Sequence, residues 1–464
     1  MSAGTDPAEP LEEIITPSDP PPKRSLFQRV IRGSIWTMGG YAIGQTIRLG
    51  TNLVLSRLLF PEAFGVMALV FTFISGLTLL SDVGIFPNIV QSKRGEDPTF
   101  LNTAWTLQAV RGGFLWLGAC ALAYPVSAFY KEPILLGLLP FVGLTTLIEG
   151  FVSTKLATSN RILDLKRLTT VDITSQIVAV VVMISGALIA KSANLPPDVA
   201  IWSLAVGAVA SSLTRLTLSH VYLQGLPNQF AWDRASLDEL ASFGRWVFIT
   251  SLLTFFALNA SNLLIPRFLG VAFLGIFSFA QNLSRLSYEV VNMIGGRVLF
   301  PSYAELARDR PERLRPVLKK SRLVLHAMTI GFCLFFVFFG KNLISIMYDS
   351  RYADAGWILQ ILALGTLAMT PGITYTNVIL AQGKTFILTA LMAIQTVLQF
   401  ACLFAGYQLG GELGVIVGIA ATGWLLYPFQ AVWYARLKLW QPEVDLPLLA
   451  LASGLSALVL LRWI

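Results

Sequence analysis

The chain has 464 residues, 55% of them hydrophobic and only 13% charged, against roughly 25% charged in an ordinary soluble domain. That balance excludes a single soluble core. The net charge of +8 reads as basic loops flanking membrane spans, with no nucleic-acid partner expected. Cys120, Cys333 and Cys402 each lie in an apolar run; they read as packing residues, and neither a disulfide framework, a metal nor a cofactor is expected.

Residues 1–30 read as a disordered, acidic, proline-rich cytoplasmic tail, because the first 22 carry six prolines and five carboxylates. They lack the basic start and apolar core of a signal peptide. Apolar runs near 20 residues, each long enough to span a bilayer as a helix, then recur to the C-terminus. Spans are predicted over about 35–57, 63–86, 103–127, 134–157, 171–190, 199–221, 245–266, 272–296, 322–346, 356–381, 385–407 and 414–435, with a short thirteenth from about 446.

The first span carries a polar stripe, with Tyr41, Gln45, Arg48 and Asn52 at helical spacing along one face. A charge at bilayer depth costs roughly 2.5–3.5 kcal/mol, so Arg48 is expected to face a protein-lined, watery cavity. Gly40 and Gly44 form a GxxxG packing signal beside it. Shorter polar pairs follow: Gln108 with Arg111, Glu149 with Ser153, and Asp172 with Gln176. Arg215 lies near a span end, within snorkelling reach of water. In the eighth span Gln281, Arg285, Glu289 and Asn292 make a second stripe, in which Arg285 and Glu289 are close enough to pair with each other. In the tenth, Pro371 and Gly372 mark a candidate hinge, a static kink being the simpler alternative. Gln395 with Gln399 completes the set. Helix-to-helix hydrogen bonding is the plainer reading for all the short pairs. His220 and His326 have no metal-like or catalytic neighbourhood.

Placing the N-terminus in the cytoplasm puts 23 of the 34 basic residues, the run from Arg308 to Arg322 among them, in cytoplasmic loops. Only Arg57, Lys131, Lys191, Arg267, Lys341, Arg351 and Arg462 fall on the other side, the positive-inside pattern. Four arginines remain at membrane depth: Arg48, Arg111, Arg215 and Arg285. The segment from Asn52 to Arg57 recurs at Asn262 to Arg267, with Trp36 against Trp246 and Gly65 against Gly275 at the same offset of 210 residues. That offset separates the first span from the seventh, so the repeat is parallel and implies a pseudo-twofold axis along the membrane normal. The expected fold is an all-α polytopic membrane protein of two six-helix lobes plus an extra C-terminal helix, 12–14 spans in all. The N-lobe takes residues 31–223, the C-lobe 224–440 beginning with a cytoplasmic linker, and the extra span 441–464.

The runs LSRLLFPEAFGVMAL and LLSDVGIFPNIVQSK, then RVLFPSYAELARDRPERLR, IMYDSRYADAGWILQILAL and ILAQGK, resemble Wzx-type polysaccharide flippases and exporters of the multidrug/oligosaccharidyl-lipid/polysaccharide superfamily. The resemblance covers about residues 25–440. It implies two lobes, alternating access, and a lipid-linked glycan moved outward across the bacterial inner membrane. The odd thirteenth span departs from the family's even count. These motifs sit at loop edges, so the substrate-binding candidates come from the stripes: Arg48, Arg285, Arg111, Gln45, Asn52, Gln281, Glu289 and Asn292.

The substrate this implies is a polyprenyl-pyrophosphate-linked oligosaccharide. Its diphosphate suits arginine, whose planar fork grips oxyanions through paired donors. Membrane lipids would hold its tail, and polysaccharide polymerase or export machinery would be the protein partners. Moving two negative charges outward across an inside-negative potential of 100 mV yields about 4.6 kcal/mol; Asp82 and Glu149 are the alternative, as ion-coupling candidates. A drug or cation antiporter of the same superfamily would favour cavity carboxylates over arginines. A polytopic glycan polymerase or ligase would need a large outer loop and a nucleophile–base pair, and the chain is not expected to be an enzyme.

Overall fold

The computed structural model describes residues 26–82 and 84–460, without the side chains of residues 26–35, 37, 197, 241–250, 297, 298, 311 and 460. Most of the acidic tail, Lys23, Arg24 and Arg462, and the side chains of Arg29, Arg32, Arg245, Trp246 and Arg297, lie outside the described residues. Among those described, the secondary structure is helical with no strand.

The helices are α1 (Leu26–Leu58), α2 (Pro61–Leu80), α3 (Ile85–Gln91), α4 (Pro98–Tyr130), α5 (Leu135–Gly150), α6 (Lys155–Arg161), α7 (Leu165–Ser192) and α8 (Pro197–Val221). Then come α9 (Arg234–Leu269), α10 (Val271–Ile294), α11 (Phe300–Asp309), α12 (Pro311–Met347), α13 (Ala355–Ala381), α14 (Thr385–Arg436) and α15 (Pro442–Leu460). Each predicted span finds its helix. Nine helices among the described residues are long and apolar enough to cross a membrane. Helices α1 and α10 are not among the nine, and they are the two that carry the polar stripes.

The boundaries follow local chemistry. Asp97 accepts from the Thr99 N–H at the start of α4, and Asp233 from the Ser236 N–H at the start of α9. Helix α14 is two antiparallel arms that meet at Gly410 and Gly411, where φ of Gly411 is +54°. Its arms touch where Gly406 backs onto Gly414 and Gly418 onto the Cys402 carbonyl, so the predicted spans 385–407 and 414–435 are both present. The second and fourth spans are shorter than predicted. Helix α2 stops at Leu80, and Asp82 lies in the turn beyond it, accepting from the Gly84 N–H at 2.9 Å. Helix α5 stops at Gly150 and α6 leaves at 58° to it. The carbonyls freed at that break are capped by Gln108, whose Nε2 donates to those of Glu149 and Val152 at 2.9 and 3.1 Å.

Helices α1, α2, α4, α5, α7 and α8 pack among themselves, as do α9, α10 and α12–α15; α2 and α4 meet α9, and α2 meets α10, between the groups. At one end of the bundle, the turn end, the two groups touch at backbone distance. A methyl group on Gly65 would overlap the Val271 carbonyl, and one on Gly275 would overlap the Pro61 carbonyl. Gly275 and Val271 lie 210 residues after Gly65 and Pro61, the offset of the sequence repeat, so the two contacts are reciprocal. Around it the Tyr352 hydroxyl donates to the Leu59 carbonyl at 3.0 Å, and Arg351 Nη2 to that of Ser56 at 3.0 Å. Phe64 and Phe279 pack edge to face at 4.8 Å.

At the opposite, linker end, residues 222–233 run across the start of α4. The backbone N–H groups of Gln229, Ala231 and Asp233 donate to Asn102 Oδ1, Thr106 Oγ1 and Thr103 Oγ1 at 3.0–3.2 Å. Alternate residues point the same way in an extended chain, and one helix face supplies all three acceptors. Arg94 pairs with Asp97 at 2.8 Å and approaches Asp233 at 3.7 Å. Leu240 is buried with Ile85, Ile89 and Phe100. The linker, read from sequence as the beginning of the C-lobe, therefore makes these contacts to the N-terminal group.

Candidate functional site

Helix α1 packs its glycine face on α7: Gly40 backs onto Thr169, and Gly44 lies against Gln176, whose Nε2 donates to the Gly44 carbonyl at 2.9 Å. Tyr41 and Gln45, each one position further round the helix than a glycine of this face, are turned away from α7. They face α10. The Tyr41 hydroxyl donates to Glu289 Oε2 in a short hydrogen bond, Gln45 Nε2 donates to the same oxygen at 2.9 Å, and Gln45 also donates to Tyr41. The two sequence stripes therefore meet across the helix groups.

The arginines of the stripes remain unneutralised. Arg48 makes no hydrogen bond or ion pair among the described residues, and it is exposed. Arg285 is exposed as well, and its one hydrogen bond among the described residues is a long 3.5 Å contact from Nη2 to the Leu258 carbonyl. The alternative that Arg285 pairs with Glu289 is not seen among the described residues, the carboxylate accepting from the α1 donors instead. Asn52, Gln281 and Asn292 are half-buried and make no side-chain hydrogen bond among the described residues.

Arg111 belongs to a different group. Its Nε donates to Ser81 Oγ at 3.0 Å and its Nη2 to the Thr78 carbonyl at 2.6 Å. It lines a cavity of about 410 Å³ with Asp82, Glu149 and Arg215, walled by α2, α4, α5 and α8. Neither Arg48 nor Arg285 reaches that cavity. Arg215, read from sequence as free to snorkel, stands between Glu149 at 3.9 Å and Asp172 at 4.0 Å. These are ion-pair distances too long for direct hydrogen bonds. A larger cavity, about 770 Å³, lies at the turn end beside Arg57, Lys191 and Arg351 and touches neither stripe.

The strongest polar feature was placed elsewhere by the sequence. Arg322, counted among cytoplasmic loop cations, is fully buried inside α12 and forms an ion pair with Asp445 of α15, also fully buried. The guanidinium donates further to Thr374 Oγ1 at 3.0 Å, the Tyr375 hydroxyl at 2.6 Å and Gln441 Oε1 at 3.2 Å, and stacks over the Tyr375 ring. Asp445 Oδ2 also accepts from Tyr427 at 3.1 Å and Tyr375 at 3.3 Å. The sequence signal was a lone aspartate entering an apolar span, which requires a cation among its neighbours. The basic run continues as helix because α11 and α12 extend well outside the apolar stretch.

The candidate hinge lies just before this cluster. Pro371 and Gly372 are inside a continuous α13, every residue from Thr370 to Tyr375 is buried, and Gly372 faces the Gln430 amide. Thr374 and Tyr375, which follow the proline, are the residues that Arg322 grips. Gln399 Nε2 donates to Ser261 at 3.5 Å and His220 Nε2 meets the Phe151 carbonyl at 2.9 Å, so both serve helix packing.

A family model described as "Polysaccharide biosynthesis protein" matches residues 54–356, well over half of the chain. The lipopolysaccharide biosynthesis protein WzxC of Escherichia coli (strain K12) is 22% identical over 407 residues, covering 85% of this chain and 78% of the relative. Two solved structures share the fold. A multidrug resistance MATE family transporter of the MOP superfamily, in its inward-facing conformation, aligns with a TM-score of 0.66 at 14% identity, over 92% of this chain and 99% of that one. The lipid II flippase MurJ, inward closed, aligns at 0.63 and 13% identity, over 93% and 92%.

Proposed function

The chain belongs to the polysaccharide biosynthesis protein family, and on that premise we propose that it is a flippase for a polyprenyl-diphosphate-linked oligosaccharide. The two helix groups act as lobes related by the 210-residue repeat, and the reciprocal contact of Gly65 and Gly275 supports that reading. The linker end is cytoplasmic, in keeping with its excess of basic residues. The chain lies in the bacterial inner membrane and carries its substrate from that side outward by alternating access, without catalysing a reaction.

The observation that carries the proposal is the pair of arginines, Arg48 on α1 and Arg285 on α10, exposed within the spans and held by no carboxylate among the described residues. An unpaired guanidinium inside a membrane protein is a costly arrangement. An anion arriving between the lobes offsets that cost, and a diphosphate offers oxygens to both arginines at once. Gln45, Asn52, Gln281 and Asn292 supply hydrogen bonds to sugar. The prenyl chain stays in lipid, entering between the lobes. Polymerase or export proteins take the product on the outer side. The 410 Å³ cavity supports the alternative of ion coupling, with Glu149 and Asp82 as its carriers.

The test is transbilayer movement of a labelled polyprenyl-diphosphate oligosaccharide in proteoliposomes. Movement by the unmutated protein, reduced at least tenfold by Arg48→Ala and by Arg285→Ala, is the expected result. Movement that neither substitution alters overturns the arginine site, and no movement with or without an imposed potential overturns the flippase.

A further inference from the structure

Glu289 has a role that an Arg285–Glu289 pair would conceal. Its carboxylate lies one helical turn from Arg285 on α10 and takes two hydrogen bonds from the opposite lobe, from Tyr41 and Gln45. Those donors lie on the same face of α1 as Arg48, on its linker side. A carboxylate held by two donors of the opposite lobe, one helical turn from an arginine with which it does not pair, occupies the position that an incoming oxyanion would need. We propose that Glu289 is an internal stand-in for the substrate's diphosphate. It holds the α1 donors in the empty transporter, lowers the positive charge left between the lobes, and is displaced when the diphosphate binds.

This rests on the arginine-pair reading and extends it to selectivity and release. A neutral lipid-linked sugar lacks the charge to displace a carboxylate, so the site discriminates by competition as well as by attraction. The same carboxylate returns to Tyr41 and Gln45 as the product leaves, which speeds the escape of an anion that two arginines would otherwise retain. Tight binding of substrate alone would slow the cycle. The exchange also links the lobes to occupancy, since Glu289 is the group through which the α10 stripe holds the α1 stripe.

The experiment measures affinity in nanodiscs for a prenyl diphosphate, with inorganic pyrophosphate and the corresponding prenyl alcohol as separate arms. Glu289→Gln removes the competing charge while keeping the shape of the side chain, and is expected to tighten prenyl diphosphate binding about tenfold, the scale of one lost charge repulsion at partly screened distance. Pyrophosphate should tighten in parallel, because the gain comes from the headgroup, and the alcohol should not change. Glu289→Ala, a second variant, should also tighten binding. Turnover of either variant should fall while affinity rises, a split that simple loss of packing does not produce. Unchanged or weakened diphosphate binding in both variants overturns the stand-in, as does equal tightening for the alcohol. Arg48→Ala and Arg285→Ala separate the two ideas. If they abolish binding while the Glu289 variants leave it unchanged, only the stand-in fails; if they do not alter binding, the arginine-pair reading fails with it.

Discussion

Removing the carboxylate of Asp445 should be among the most damaging single changes in the C-terminal helices. Both members of its pair are fully buried, and truncating one partner of a buried pair costs about 3–5 kcal/mol, because the remaining charge has no partner. Arg322 would keep Thr374, Tyr375 and Gln441 as acceptors and the tyrosine ring beneath it. That places Asp445→Ala toward the lower end, about 3 kcal/mol. Asp445→Asn retains a carbonyl acceptor for the tyrosine hydroxyls and should cost less. Replacing both charges at once, Arg322→Met with Asp445→Leu, removes the stranded ion and should recover most of the loss. Denaturant unfolding of the purified protein in detergent, followed by tryptophan fluorescence, measures these three variants and the single changes Arg322→Met and Asp445→Leu. If the double variant is as unstable as the two single losses added together, stranded charge is not the cause and the reasoning fails.

Gly65→Ala places a methyl on the Val271 carbonyl, and Gly275→Ala repeats the collision from the other side; each should push the turn end apart and cut transport several-fold without loss of folding, checked by labelling of a cysteine at Leu59. At the linker end, hydrogen bonds from Arg94 and the Thr99 N–H hold the Asp97 carboxyl below its usual range, and the Ser236 hydroxyl and N–H do the same for Asp233. Groups with depressed values contribute above the unfolded carboxylate range, about pH 4, and lose that contribution as pH falls through the lowered values. A spin label at Leu226 should therefore show unchanged mobility from pH 7 to 5 and loosen only below about 4; loosening near pH 6 would contradict the assignment.

Much of this fold was legible from hydropathy alone, because bilayer thickness fixes span length and the unmet backbone must be helical. The break at Gly410 and Gly411 falls in the gap between the spans predicted at 385–407 and 414–435. The facing stripes were legible because charge in a greasy helix is costly and therefore placed with purpose. What spacing left open was partner choice. Arg285 and Glu289 have the spacing to pair on one helix, yet Glu289 bonds across the lobes to a hydroxyl and an amide of α1. Arg322 failed for a related reason. A basic run looks like a loop when its partner lies 123 residues away, on a helix whose packing sequence does not reveal. Asp82 and Gln108 became turn and helix caps because the second and fourth spans end early, and span ends are the least certain feature of hydropathy.

The backbone contact of Gly65 with Gly275 also has an electrical consequence. The two glycine–carbonyl contacts contain no ionised side chain, so that backbone seam itself gives the membrane field nothing to act on. A potential of 100 mV does work of about 2.3 kcal/mol on each elementary charge that crosses it, and one charge beside the seam is Arg351, which donates to the Ser56 carbonyl. In the proposed cycle, voltage would act on charges such as Arg351, Arg48, Arg285, Glu289 and a bound anion, and the glycine seam would follow their motion.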